Sequence, residues 1–69
     1  MMERAKIRFS VKETADGVLW ICAEPLDKEL PILRGGNLGF DLRPGATIEQ
    51  ASEIARFMDQ NIRRLTYSA

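Results

Sequence analysis

The first third of the chain constrains the fold most strongly, because it carries the pattern of a β-hairpin. The segment KIRFSVK, residues 6–12, has an apolar residue at every second position, which is typical of a strand with one buried face. Asp16-Gly17 follows and is a strong signal for a tight turn. The segment VLWICA, residues 18–23, then predicts a second strand that is apolar on both faces, and Pro25 is expected to end it.

A further strand is predicted from the segment NLGFDLR, residues 37–43, which alternates in the same way. Its three apolar residues are expected on one face, and Gly39 is a candidate β-bulge. Residues 32–34 are a candidate short edge strand. Because consecutive strands joined by tight turns run antiparallel, the sheet is expected to be antiparallel and to have three to four strands.

A helix is predicted in the last third of the chain. RPGA, residues 43–46, has the signature of a type II turn, and Thr47 follows as an N-cap with Gln50 completing a capping box. The helix is expected to run from about Ile48 to Leu65, because apolar residues recur there at spacings of three and four. This stripe consists of Ala51, Ile54, Ala55, Met58, Ile62 and Leu65.

Together these elements predict one small α+β domain over residues 1–69, with an antiparallel sheet and a single C-terminal amphipathic helix packed on one face. A chain of 69 residues buries only about 60% of its unfolded surface, and domains of this size often gain stability from disulfides, metals or partners. Cys22 is the only cysteine and histidine is absent, so neither an internal disulfide nor a zinc site is expected. Oligomerisation is therefore the expected source of added stability.

The composition argues against several classes of function. Ten basic and ten acidic residues cancel, whereas a duplex-DNA-binding domain usually carries a basic excess. No apolar run approaches the roughly 20 residues of a membrane span, and the first residues lack the apolar core of a signal peptide, so a cytoplasmic location is expected. Without histidine the usual general base is missing, and Cys22 lies inside an apolar strand. We therefore expect a non-catalytic protein without a cofactor.

The glycines are better explained by turns than by a phosphate-binding loop. Such a loop leads into the N-terminus of a helix, whereas Gly35, Gly36 and Gly39 lead into a predicted strand. The segment GNLG, residues 36–39, matches the G-x-x-G pattern of KH domains, but no helical periodicity precedes it. A phosphate site at these glycines is therefore not predicted.

The predicted second strand indicates an interaction surface. One helix covers one face of the sheet, so either Trp20 and Cys22 or Leu19 and Ile21 must point away from the helix. A large apolar patch in water is uncommon on a monomer. We therefore expect this face of the sheet to meet a partner.

Two partners fit that face. One is a second copy of the chain in a twofold dimer, with sheets packed face to face or paired edge to edge. The other is single-stranded nucleic acid, with bases stacked on Trp20 and the backbone held by Lys6, Arg8 and Lys12. We favour the dimer for two reasons. One aromatic side chain is a small stacking platform, and the segment 13–33 is predominantly acidic, which opposes binding of a polyanion.

Phe57 lies off the apolar stripe of the predicted helix. It is expected either to pack under the polar loop at residues 24–31 or to anchor a partner beside Arg64, since aromatic residues and arginine are favoured at interface hot spots. The candidate interface therefore consists of Lys6, Arg8, Lys12, Trp20, Phe57 and Arg64.

Two segments resemble HicB-like antitoxin domains: VKETADGVLWICAEP, residues 11–25, and GATIEQASEIARFMDQNI, residues 45–62. Those domains have a hairpin with an acidic-glycine turn, a third strand, and a glycine–threonine turn into an amphipathic helix. In that family a strand usually follows the helix, whereas this chain ends soon after Tyr67. The resemblance implies an intracellular inhibitor or regulator that binds a protein through its sheet and helix.

Overall fold

A computed structural model describes residues 2–68 and contains a four-stranded antiparallel sheet with one α-helix. The elements are β1 (Met2–Glu13), β2 (Leu19–Pro25), a 3-10 helix (Pro31–Leu33), β3 (Leu38–Asp41), α1 (Ile48–Asn61) and β4 (Arg64–Ser68). The strand order in the sheet is β3-β2-β1-β4. The predicted α+β class, antiparallel sheet and single α-helix are thus confirmed. Within the described residues no helix combines the length and the apolar character needed to cross a bilayer.

The β1–β2 hairpin forms at the predicted turn. Gly17 adopts a φ of 85°, a left-handed conformation that glycine reaches without steric cost, and its N–H donates to the Thr14 carbonyl at 3.0 Å. The register pairs Val11 with Ile21, so the apolar residues of the two strands share one face. β2 ends at Pro25, as the sequence predicts.

The helix begins where the sequence predicts, because the capping box is fully formed. The Gln50 N–H donates to Thr47 Oγ1 at 3.1 Å, and the Thr47 N–H donates to Gln50 Oε1 at 3.0 Å. From this start α1 packs across β1 and β2. The buried cluster between α1 and the sheet consists of Phe9, Ile21 and Ala23 from the strands and Ala55 from α1. It is bordered by Ile7, Val11, Leu38, Leu42 and Met58.

The predicted end of the helix is wrong. α1 stops at Asn61, and residues 64–68 form β4, which pairs with the first half of β1 from Met2 opposite Ser68 to Lys6 opposite Arg64. Leu65 fits the spacing of the predicted helical stripe, but it lies opposite Ala5 and extends the apolar face of the sheet instead. The segment RLTYS contains β-branched and aromatic residues that favour a strand. In addition, β4 supplies hydrogen-bond partners to an edge of β1 that would otherwise be unpaired.

Two aspartates complete the hydrogen bonding of β1 where its neighbouring strands end. The Phe9 N–H lies beyond the end of β4 and donates to Asp59 Oδ1 at 2.8 Å. The Lys6 N–H lies beyond the end of β2 and donates to Asp27 Oδ1 at 2.9 Å. Backbone N–H groups of folded proteins are normally paired, and here the two carboxylates take the place of a strand neighbour. They link the C-terminal end of α1 and the β2–β3 loop to β1.

The connection between β2 and β3 differs from the prediction at residues 32–34. Pro31–Leu33 forms a 3-10 turn rather than an edge strand, because proline at its first position provides no N–H for a ladder and presets a helical φ. Leu30, just before this turn, is fully buried. It lies outside the cluster beneath α1, so it anchors the loop separately from the helix.

Candidate interaction surfaces

The two faces of the sheet are now assigned by the strand register. Phe9, Ile21 and Leu38 lie on the face covered by α1, so Trp20 and Cys22 point to the opposite side, which we call the open face. The strand residues on the open face include Arg4, Lys6, Arg8, Ser10, Lys12, Trp20, Cys22, Glu24, Gly39, Asp41, Arg64 and Thr66.

The open face is cationic. Its strands present five basic side chains and two carboxylates, which gives a net charge of +3 on a chain whose formal net charge is zero. Among residues 2–68 the only ion pair is between Arg8 Nη2 and Glu24 Oε1, at 3.3 Å. The Arg8 side chain is 59% exposed, so this pair is screened by water and adds little stability. The remaining cations of the face have no carboxylate within ion-pairing distance in the described chain.

Five of the six predicted interface residues lie on this face, all except Phe57. Lys12 is opposite Trp20, and Arg8 and Lys6 lie on the same face of β1, with Ser10 between Lys12 and Arg8. Arg64 joins them from β4, directly opposite Lys6, and not from the helix as predicted.

Two members of the same end of the open face, Arg4 and Thr66, were not predicted. Arg4 precedes the predicted first strand at residues 6–12, whereas β1 begins at Met2, and Thr66 lies in β4, which was not predicted. They are opposite one another in the β1–β4 ladder. A surface cavity of about 360 Å³ is lined by Arg4, Arg63, Arg64 and Thr66. The described part of the chain thus concentrates three arginines around one depression.

Trp20 packs on Gly39 across the β2–β3 ladder. A Cβ built on Gly39 would lie 2.9 Å from Trp20 Cε3 and 3.0 Å from Cζ3, which is closer than side-chain carbons normally approach. The glycine therefore makes room for the indole ring. The predicted bulge at Gly39 is wrong, because pairing is continuous from Ala23–Leu38 to Trp20–Asp41.

The open face does not expose the large apolar patch that its composition had suggested. Trp20 is half-buried and Cys22 is 1% exposed. Cys22 lies between the small residues Ser10 and Gly39 on the neighbouring strands. The larger residues Trp20 and Glu24 flank it on the same face of β2. Burial raises the pKa of the Cys22 thiol, with Glu24 adding to the rise and Lys12 opposing it. The thiol therefore stays protonated at neutral pH and is a poor nucleophile.

Exposed apolar surface lies instead beside α1, where the helix leaves β3 uncovered. Phe40 is 46% exposed, Ile54 is 40% exposed and Phe57 is 66% exposed. Leu42 and Ile54 line a cavity of about 630 Å³ between the turn after β3 and the helix. We call Phe40, Leu42, Ile54 and Phe57 the apolar strip.

Both expectations for Phe57 need correction. Its large exposure shows that it does not pack under the loop at residues 24–31. Arg64 belongs to the open face, whereas Phe57 belongs to the helix on the other side of the sheet, so the two do not form a joint anchor.

Among the described residues, the outer edge of β3 has no neighbouring strand. The Leu42 N–H donates to the Leu19 carbonyl at 3.1 Å, and in an antiparallel ladder the bonded residues alternate. Phe40 therefore directs its backbone groups towards β2, while Gly39 and Asp41 direct theirs outward. Within residues 2–68 these outward groups have no hydrogen-bond partner.

Neither a metal-ligating cluster in the described residues nor a similar protein indicates the function of these surfaces. No cluster of carboxylate, cysteine or histidine side chains in the described range could hold a metal ion. Glu24 and Asp27, acidic residues near the β2–β3 loop, are engaged with Arg8 and with the Lys6 backbone. The chain matches no family model, no curated protein and no solved structure. The resemblance to HicB-like domains therefore stays a prediction.

Proposed function

We propose that the protein is a small non-catalytic protein-interaction module that acts as a homodimer, with β3 of one copy paired to β3 of the second. The observation that carries this proposal is the apolar strip beside the unpaired β3 edge. An exposed strand edge is a template for pairing with another chain, and exposed apolar surface next to it adds hydrophobic burial to the backbone hydrogen bonds.

The direction of the backbone groups restricts how two β3 strands pair. Gly39 and Asp41 point outward, so they must bond to the outward residues of the second copy. A twofold axis at Phe40 satisfies this condition, because Gly39 then pairs with the partner's Asp41. The two Phe40 residues lie directly opposite, with Cα atoms about 4.5 Å apart. Their rings meet on the helix side and contribute an aromatic pair worth about 0.5–1.5 kcal/mol.

A neighbouring register is less favourable. A twofold axis at Asp41 would place the two Asp41 carboxylates directly opposite one another, and like charges in that position destabilise a strand pair. The register centred on Phe40 avoids this repulsion and sets Leu38 against the partner's Leu42. It would join the two four-stranded sheets and cover apolar side chains from both copies.

The test is the molar mass in solution, measured by light scattering during size-exclusion chromatography. Wild type is expected at twice the chain mass, and Phe40→Lys at the chain mass, because the substitution buries two cations against each other in the paired register. Ile32→Lys is the matched control: Ile32 is 48% exposed but lies in the 3-10 turn, so this variant should remain dimeric. Circular dichroism checks that both variants are folded.

Two results would contradict the proposed dimer. One is a wild-type monomer at a concentration of about 100 µM, together with a melting temperature that is independent of concentration. The other is a Phe40→Lys variant that is as dimeric as wild type.

A further inference from the structure

We propose that the open face binds single-stranded nucleic acid, with Lys6, Arg8, Lys12 and Arg64 on the phosphates and Trp20 against a base. The proposal does not depend on dimerisation, because the β3 edge and the apolar strip lie outside the cationic row on β1 and β4. Charge, spacing and shape of the face each support it.

The cations form a row along one face of β1. Lys6 and Arg8 are two residues and about 6.6 Å apart, and Lys12 follows after Ser10, about 13 Å from Arg8. Arg4 extends the row, and Arg64 widens it where it lies opposite Lys6. From Arg4 to Lys12 the row covers about 26 Å of strand. A row of this length can follow several consecutive phosphates of an extended strand.

The charge of the face is complementary to a polyanion. One of its two carboxylates, Glu24, contacts Arg8 Nη2 at 3.3 Å, which leaves the other guanidinium N–H groups of Arg8 for a phosphate. The other carboxylate, Asp41, lies at the far edge on β3. The neutral total charge of the chain hides this asymmetry, since the acidic residues are concentrated in the turns, the β2–β3 loop and the helix. Release of condensed counterions from the nucleic acid then drives binding.

Shape favours a single strand over a duplex. Reading a duplex requires an element that enters a groove, and α1 lies on the other face of the sheet. The open face instead offers Trp20, held on Gly39 beside Lys12. An aromatic ring next to a cationic row is the arrangement on which unpaired bases stack.

The test uses Trp20 as its own reporter, because it is the only tryptophan in the chain. The full chain is titrated with oligouridylate and, separately, oligodeoxythymidylate of about eight nucleotides, and the tryptophan fluorescence is recorded. Stacking of a base on Trp20 is expected to quench this fluorescence. The affinity should fall as salt rises from about 20 to 200 mM, with a slope of log K against log salt near −0.7 per phosphate contacted. The ratio of the two affinities shows whether the open face prefers RNA or DNA.

Variants assign the contacts. Lys6→Ala and Arg64→Ala should each reduce the salt slope by about 0.7, whereas Arg56→Ala on the exposed surface of α1 should leave it unchanged. Trp20→Phe keeps an aromatic ring over Gly39 and should weaken binding less than Trp20→Leu, which should lose at least about fivefold in affinity. Anisotropy of a labelled oligonucleotide replaces fluorescence for the Trp20 variants, and thermal melting confirms that each variant is folded.

Three outcomes would overturn the proposal. The first is neither quenching nor an anisotropy change at low salt with about 100 µM protein. The second is tighter binding of a duplex of the same length than of either single strand. The third is binding to anionic phosphatidylserine vesicles without binding to either oligonucleotide, which would assign the open face to a membrane surface.

Discussion

The two faces of the sheet are best compared at Ile21 and Cys22, which are consecutive residues of β2. Both are almost completely buried, at 0% and 1% exposure. Ile21 is buried by the aromatic and aliphatic cluster beneath α1, whereas Cys22 is surrounded by strand neighbours on a face without a helix. The comparison shows that a strand can be apolar on both faces without a second covering layer, provided that the residues at the centre of the uncovered face are small.

The largest expected effect is a loss of stability from a substitution on the sheet face that α1 covers. Ile21→Ala should lower the free energy of unfolding by about 2–5 kcal/mol, since it leaves a cavity in the packed cluster. Cys22→Ala is the matched change on the open face and should cost only about 1 kcal/mol, because it removes one sulfur atom. Urea denaturation measures both.

If Ile21→Ala does not fold, Ile21→Val is expected to cost about 0.5–1.5 kcal/mol for the loss of a single methylene group. Equal losses for Ile21→Ala and Cys22→Ala, or no measurable loss for Ile21→Val, would contradict the comparison.

A smaller effect is expected from the contact between Trp20 and Gly39. Gly39→Ala should destabilise the protein by about 1–3 kcal/mol, because the added methyl group overlaps the indole ring and forces it to shift. Removing the ring should relieve this overlap, so Gly39→Ala should cost less in a Trp20→Leu background. The double-mutant cycle, measured by urea denaturation, gives the coupling between the two residues. A coupling near zero would mean that the ring does not restrict residue 39.

The smallest effect on stability is expected at Ser10, a residue of β1 that lies opposite Cys22 of β2. Its Oγ is buried and has no hydrogen-bond partner among the described residues, so the folded state bears the cost of removing that hydroxyl from water. Ser10→Ala should therefore leave the free energy of unfolding unchanged or raise it by up to about 1 kcal/mol. Ser52→Ala, on the exposed surface of α1, is the control. A clear loss of stability for Ser10→Ala would indicate a bonded hydroxyl.

Much of the fold could be predicted because local chemistry determines it. Asp16-Gly17 sets the hairpin turn and Thr47 with Gln50 sets the start of the helix, and both depend on residues close in sequence. β4 could not be predicted, because Leu65 continues the spacing of the helical stripe. The segment around Leu65 forms a strand because it pairs with the edge of β1, and the residues of that edge lie some sixty positions earlier in the chain.

The candidate surfaces were predictable only in part, for a related reason. Alternation along β1 placed Lys6, Arg8 and Lys12 on one face correctly. The exposure of Phe40 depends on where α1 crosses the sheet, and that position is not encoded in any one segment. Arg64 was predicted as an interface residue but on the wrong element, since its place on the open face follows from β4.

The position of β4 also has a consequence for the order of folding. The β1–β2 hairpin closes a short loop, whereas pairing β4 with β1 joins residues as distant as Met2 and Ser68, and the entropy of loop closure rises with that separation. We expect the hairpin and α1 to form first, with β4 docking last once Asp59 has bonded to the Phe9 N–H across fifty residues. The last element to dock is also expected to open at the lowest free energy. Opening of β4 would remove Arg64 from the open face while the core remains folded, so the width of the cationic row would follow a local folding equilibrium.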